Sequence, residues 1–125
     1  MIIGVGIDIL RIPRVSHLIS RFPIRFRAKI FTEDEVEFCD SRSDYASSFA
    51  KMFALKEATI KAISDTDGIR WRDMEITHDS NGKPIVALNG GALRNVLKKA
   101  REFSVSASVS DEREYASAFV IIEGA

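Results

Sequence analysis

Two carboxylates in this sequence stand among apolar residues rather than with the other charges. Asp8 closes the run Ile2-Ile3-x-Val5-x-Ile7, and Glu57 falls inside the apolar arc of a long helical pattern. A charge in an apolar stripe must be paired, metal-bound or neutral. Two such carboxylates, completed by waters and a substrate phosphate, make a Mg²⁺ site, because that small hard cation keeps several of its waters. Spacing alone does not bring the two together, and plainer roles exist for both. An Asp at a strand end is a common helix N-cap. Lys56, also inside the apolar arc, could pair with Glu57 or carry its ammonium out to solvent. Lys61 sits at the edge of the same arc.

Other chemistry-bearing residues give weaker signals. Asn81-Gly82-Lys83-Pro84 reads as a hairpin turn whose lysine could also reach a phosphate. Ser104, Ser106, Ser108 and Ser110 alternate with Val105, Ala107 and Val109, so they face water or line a polar groove. His17 and His78 have no metal-ligand spacing and are expected at the surface. Cys39 has no Cys-x-x-Cys partner and no nearby positive residue to activate it. There is no Gly-rich phosphate loop; Gly4-x-Gly6 is too short to count as one.

The elements that must position these residues follow from periodicity and turn chemistry. A β-branched strand runs from Ile2 and ends at Asp8. Pro13 suits a helix's first turn, with Val15, Leu18, Ile19 and Phe22 at helical spacing, and Pro23 breaks or restarts it. Thr32-Glu33-Asp34-Glu35 is a capping box opening a helix to about Cys39. After a loop from Ser41 to Asp44, a long helix covers about Tyr45 to Ser64. Trp71 to His78 reads as a strand, turning at Asp79-Ser80-Asn81-Gly82 into a return strand from Ile85 to Leu88. Gly90-Gly91 precedes a helix with Leu93, Val96, Leu97 and Ala100 on one face. A closing hairpin joins the serine-alternating segment to a strand from Tyr115 to Glu123. The order predicts an α+β fold, a mainly antiparallel sheet with helices packed on one face.

Composition bounds the function. The 125 residues suit one domain, residues 1–125, with 46% hydrophobic and 29% charged residues. Net charge is zero, which argues against general nucleic-acid binding. The single cysteine points to a reducing compartment. No apolar run approaches the roughly 20 residues of a membrane helix. The first residues lack the basic lead and cleavage site of a signal peptide, so a cytoplasmic protein is expected. The zero charge hides an asymmetry: Arg11, Arg14, Arg21, Arg25, Arg27 and Lys29 fall in one stretch without an acid. That stretch is either a solvated helix face or a docking surface for an acidic partner.

Three segments together resemble a known family, the small holo-acyl-carrier-protein synthase type of 4′-phosphopantetheinyl transferase. They are Gly4-Val5-Gly6-Ile7-Asp8-Ile9; Phe49-Ala50-Lys51-Met52-Phe53-Ala54-Leu55-Lys56-Glu57-Ala58-Thr59-Ile60-Lys61-Ala62; and Gly82-Lys83-Pro84 with the closing Tyr115-Ala116-x-Ala118. Trp71-x-Asp73-Met74-Glu75-Ile76 also fits. The resemblance implies transfer of 4′-phosphopantetheine from coenzyme A to a serine of apo-acyl carrier protein, releasing adenosine 3′,5′-bisphosphate. It implies Asp8 and Glu57 as Mg²⁺ ligands and Lys61 as a stabiliser of the transferring phosphoryl group. Glu57, or water held by it or the metal, would take the serine proton, and Lys56 would hold the site's charge balance. Lys51, Lys61, Gly82, Lys83 and Pro84 would contact the nucleotide. Arg11, Arg14, Arg21 and Arg25 would dock the acidic carrier protein. The family is typically a homotrimer with active sites between subunits. This chain departs from many relatives at Met52, where they carry Arg, and at Ser106 and Asp111, where they carry His. The competing readings are another Mg²⁺-dependent enzyme acting on a nucleotide or phosphodiester, and a non-enzymatic module binding an acidic partner.

Overall fold

A computed structural model describes residues 1–125. Strand β1 (Ile2–Arg11) pairs antiparallel with β5 (Tyr115–Gly124), which pairs antiparallel with β4 (Phe103–Glu112), so β5 is central. Alternation along β5 sends Ala116, Ala118, Val120 and Ile122 into the core. On β1 the inward residues are Gly6, Asp8 and Leu10, while Val5, Ile7 and Ile9 face outward. The strand does not end at Asp8 as its apolar run suggested. Ile9, Leu10 and Arg11 continue the ladder opposite Ser117, Ala116 and Tyr115, because β5 is long enough to pair with them. Asp8 is therefore an interior strand residue and caps no helix.

Helix α1 (Ile12–Arg21) follows without a loop, with Pro13 in its first turn, and α2 starts at the second proline (Pro23–Ile30). Helix α3 (Glu33–Asp40) opens with the expected capping box: the Thr32 amide donates to Glu35 Oε1 at 2.8 Å and the Glu35 amide to Thr32 Oγ1 at 3.3 Å. Helix α4 (Tyr45–Ile63) lies across the inner face of the sheet. A separate antiparallel hairpin, β2 (Met74–His78) and β3 (Pro84–Leu88), and α5 (Gly90–Leu97) complete the order. Trp71–Asp73 is a 3-10 turn rather than the start of β2. The Asp73 carboxylate accepts from the Arg70 amide at 3.0 Å and the Gly91 amide at 3.1 Å, which curls the chain there. The fold is α+β with antiparallel sheets, as the element order required.

Ala50, Ala54, Ala58 and Ala62 recur every four residues on α4 and are all buried, forming a smooth ridge. Gly4 and Gly6 of β1 lie on that ridge. A Cβ on Gly6 would fall onto the Ala58 carbonyl, 2.7 Å from its carbon and 2.9 Å from the Ala62 nitrogen. A Cβ on Gly4 would meet the Ala62 carbonyl carbon at 2.8 Å. The two glycines are thus required by close backbone approach rather than by a phosphate loop. On the opposite flank of α4, Phe26, Phe31, Phe49, Phe53 and Trp71 pack edge-on, with centroids 5.2 Å apart for Phe53 and Trp71. No helix is long and apolar enough to cross a membrane.

Candidate active site

The close approach of β1 to α4 brings three of the sequence-predicted residues together. Glu57 and Lys61 stand one turn apart on α4, and Asp8 faces them from β1. Lys61 Nζ donates to Asp8 Oδ1 at 3.2 Å and to the Ile7 carbonyl at 2.9 Å. Asp8 Oδ2 is buried and receives no N–H or hydroxyl. The donor that can satisfy it is a proton on Glu57. Burial first, then a hydrogen bond shared with Asp8 and the charge of Asp8, push the Glu57 carboxyl up to about 7, against the pull of Lys61 and Arg14. Two carboxylates set against each other have the charge a divalent cation would neutralise. Nowhere do three or more His, Cys, Asp or Glu side chains gather. Two facing carboxylates fit Mg²⁺, which takes few protein ligands and keeps several waters, and do not fit a closed Zn²⁺ site.

Lys56 neither pairs with Glu57 nor reaches solvent. It is fully buried and points to the other flank of α4, where Nζ donates to Glu35 Oε1 at 2.7 Å, the Ile30 carbonyl at 2.8 Å and the Trp71 carbonyl at 3.2 Å. Its three donors are spent there, so it does not balance the charge of Asp8 and Glu57. Glu35 Oε2 takes the Ile76 amide at 2.7 Å. Desolvation lowers the Lys56 ammonium below its usual range despite Glu35. Glu35 was legible only as a capping residue; its second partner set lies across the fold.

A cavity of about 440 Å³ opens between α3, α4, the β2–β3 turn and β4. Lys51, Gly82 and Pro84 line it, as does Met52. Lys83 does not; its amide donates to Asp79 Oδ1 at 2.9 Å within the turn. His78, expected at the surface, also lines the cavity, stacked on Phe38 at 4.4 Å. Burial, then Arg42 and Lys51, lower its pKa, which favours the neutral ring. Nothing in the sequence signalled that stack, because Phe38 comes from α3. Met52 Sδ accepts from the Cys39 thiol at 3.6 Å. Burial pushes that thiol up to about 12, so it is inert. Ser106 lies on the exposed outer face of β4 and does not line the cavity; Asp111 does. Asp8, Glu57 and Lys61 are absent from the cavity wall.

A second groove, about 590 Å³, runs beside α1 and α2. Leu18, Phe22, Phe26 and Phe53 floor it, and Arg14, Arg25 and Lys29 rim it. Arg21 and Arg25 sit over the Phe22 ring, 5.5 and 5.7 Å from its centre. Arg27 is drawn off by Asp40 at 2.8 Å, and Arg11 lies at the end of β1, outside the groove. Arg14 belongs to both places: it rims the groove and its charge acts on Glu57.

A sequence model of the 4′-phosphopantetheinyl transferase superfamily matches residues 4–120. The chain belongs to that superfamily. Among curated relatives, the holo-[acyl-carrier-protein] synthase of Phenylobacterium zucineum is 42% identical over 98% of this chain and 93% of its own length. That of Brucella ovis is 39% identical over 98% of this chain and 96% of its own. Among solved structures, the holo-[acyl-carrier-protein] synthase of Neisseria meningitidis superposes with a TM-score of 0.84 at 36% identity, covering 98% of this chain and 99% of that one. The Helicobacter pylori holo-[acyl-carrier-protein] synthase in complex with coenzyme A gives 0.82 at 30% identity, covering 95% and 99%. The phosphopantetheinyl transferase fold therefore extends over nearly all of this superfamily member.

Proposed function

We propose that residues 1–125 act as one catalytic domain that transfers 4′-phosphopantetheine from coenzyme A to a serine of apo-acyl carrier protein. The bond formed joins the serine oxygen to the phosphopantetheine phosphorus. The bond broken lies in the pyrophosphate, and adenosine 3′,5′-bisphosphate leaves. The observation that carries the reading is the Asp8–Glu57–Lys61 cluster at the close contact of β1 with α4. Mg²⁺, which Asp8 and Glu57 would hold, would neutralise the pyrophosphate and stabilise the leaving phosphate. Lys61 spends two donors on Asp8 and Ile7 and is otherwise exposed, so its third N–H is free for a phosphoryl oxygen. The Glu57 carboxylate, or water it holds, accepts the serine proton.

Lys51, Gly82 and Pro84 support the nucleotide reading of the 440 Å³ cavity. The groove rimmed by Arg14, Arg25 and Lys29 suits an acidic carrier protein, with Arg21 flanking it, and Arg14 links that groove electrostatically to Glu57. Val5, Ile7, Ile9 and Phe119 are 47%, 61%, 64% and 41% exposed on the outer face of the sheet. An apolar face of that kind supports a trimer in which further copies cover it. Separation of the nucleotide cavity from the carboxylates within one chain favours sites completed between copies. Light scattering giving a monomer mass at working concentration would refute the trimer. A cytoplasmic location fits the same reading.

The deciding experiment is intact-mass analysis of apo-acyl carrier protein after incubation with the protein, coenzyme A and Mg²⁺, beside an EDTA control. A metal-dependent gain of one phosphopantetheine is expected. Glu57→Gln should abolish that gain and leave carrier binding nearly intact. Full transfer by Glu57→Gln would refute the metal assignment.

A further inference from the structure

Arg42 and Lys51, which line the 440 Å³ cavity, each stand beside an acid. Arg42 Nε faces Asp44 Oδ1 at 3.5 Å, and Lys51 Nζ faces Asp111 Oδ1 at 3.4 Å. Asp111 Oδ2 also accepts the Ser47 hydroxyl at 3.1 Å. Ser47 and Lys51 are one turn apart on α4, so the helix grips the carboxylate from two points while β4 supplies it. The acid in the hairpin turn, Asp79, is committed to the amides of Asn81 and Lys83. The cavity thus has two cations, each already beside an acid, and an incoming phosphate meets no unpaired positive charge.

We propose that Asp111 is a specificity-determining residue that sets the cavity's affinity for nucleotide phosphates by competing with them for Lys51. This rests on the reading that the cavity takes the nucleotide end of coenzyme A. An anion reaching Lys51 must displace the Asp111 carboxylate or bind next to its negative charge. Either way Asp111 weakens binding and speeds loss of the adenosine bisphosphate once transfer is complete. Lys51 and Asp111 are both partly exposed, so the pair breaks at small cost and the competition is reversible.

Titration calorimetry of the full-length protein with adenosine 3′,5′-bisphosphate, at low and high salt, tests the competition. Asp111→Asn keeps an acceptor for Ser47 and removes the charge. It should tighten binding about two- to fivefold, the strength of an exposed ion pair that the anion no longer has to break. The gain should shrink as salt rises. Lys51→Met should weaken binding, and Asp111→Asn added to Lys51→Met should then give less than a twofold gain. If Lys51→Met weakens binding but Asp111→Asn leaves it unchanged or weaker, the proposal is overturned and Asp111 instead orients Lys51. If neither variant alters affinity while transferase activity persists, the nucleotide lies elsewhere and the cavity reading itself falls.

Discussion

Replacement of Gly6 by alanine should disable transfer while leaving a folded protein. The new Cβ would lie 2.7 Å from the Ala58 carbonyl carbon and 2.9 Å from the Ala62 nitrogen. Carbon atoms in contact ordinarily sit about 3.5–4.0 Å apart. Both obstacles are helix backbone, so β1 must retreat by roughly 1 Å relative to α4. Asp8 is two residues along on the same inward face and retreats with it. Its 3.2 Å contact with Lys61 and the 2.9 Å bond from Lys61 to the Ile7 carbonyl would both be lost. A misplacement of about 1 Å at a reacting centre costs on the order of 10²-fold in rate. Overpacking costs about 1–3 kcal/mol, within the roughly 5–15 kcal/mol that holds a domain together. The expected result is a cooperative thermal transition at lower temperature and kcat/KM for transfer reduced about 100-fold, with carrier binding at the α1–α2 groove changed less than twofold. The intact-mass assay and a melt by circular dichroism measure both. If Gly6→Ala folds and keeps kcat within threefold, the β1–α4 contact does not set the geometry of the carboxylates.

Lys56→Met should destabilise the protein by about 3–5 kcal/mol, because it strands the fully buried Glu35 carboxylate; urea unfolding measures it, and the double variant Lys56→Met, Glu35→Leu should recover much of the loss. A single-variant cost under about 1 kcal/mol would contradict the buried pair. Glu57 is held near 7 when folded against an ordinary value of 4.5, so the folded state binds its proton more tightly. Its contribution to the stability of metal-free protein is complete below 4.5 and is lost as pH rises through about 7. Mg²⁺ should therefore raise the melting temperature more at pH 8 than at pH 5.5, and Glu57→Gln should remove that difference. Arg14→Glu should raise the KM for acyl carrier protein far more than that for coenzyme A, and the carrier KM of the unaltered protein should rise with salt. Equal effects on both substrates would argue against docking at the groove.

The parts legible in sequence were those fixed by local chemistry. The prolines placed the starts of α1 and α2, Thr32 and Glu35 placed α3, and the Asn81-Gly82 turn, with Gly82 at φ +82°, placed the hairpin. Asp8 and Glu57 stood out because each broke an apolar pattern, and the structure sets them against each other. What sequence did not carry was set by partners far along the chain. The end of β1 depends on the length of β5, more than 100 residues away. The partner of Lys56 is Glu35, 21 residues back, hidden because capping already explained an acid there. The stack of His78 on Phe38 has no sequence signal, because the two rings come from different elements.

One helix resolves these assignments, and its rotation decides which of them hold. The alanine ridge of α4 lets the backbone of β1 approach closely, and that closeness fixes the azimuth of the helix. With the ridge against the sheet, Glu57 and Lys61 fall on the β1 side beside Asp8. Lys56 falls on the α3 side, where Glu35, Ile30 and Trp71 absorb its three donors. Lys51, a little more than one turn earlier, falls at the cavity opposite Asp111. Adjacent residues on a helix differ by about 100°, so a rotation by one position would bury Glu57 in the place of Lys56, against Glu35, and the two acids would repel each other. The Lys56–Glu35 pair, which touches no reacting group, is thus the feature that makes this rotation costly, and the glycines of β1 are the feature that makes the present one possible.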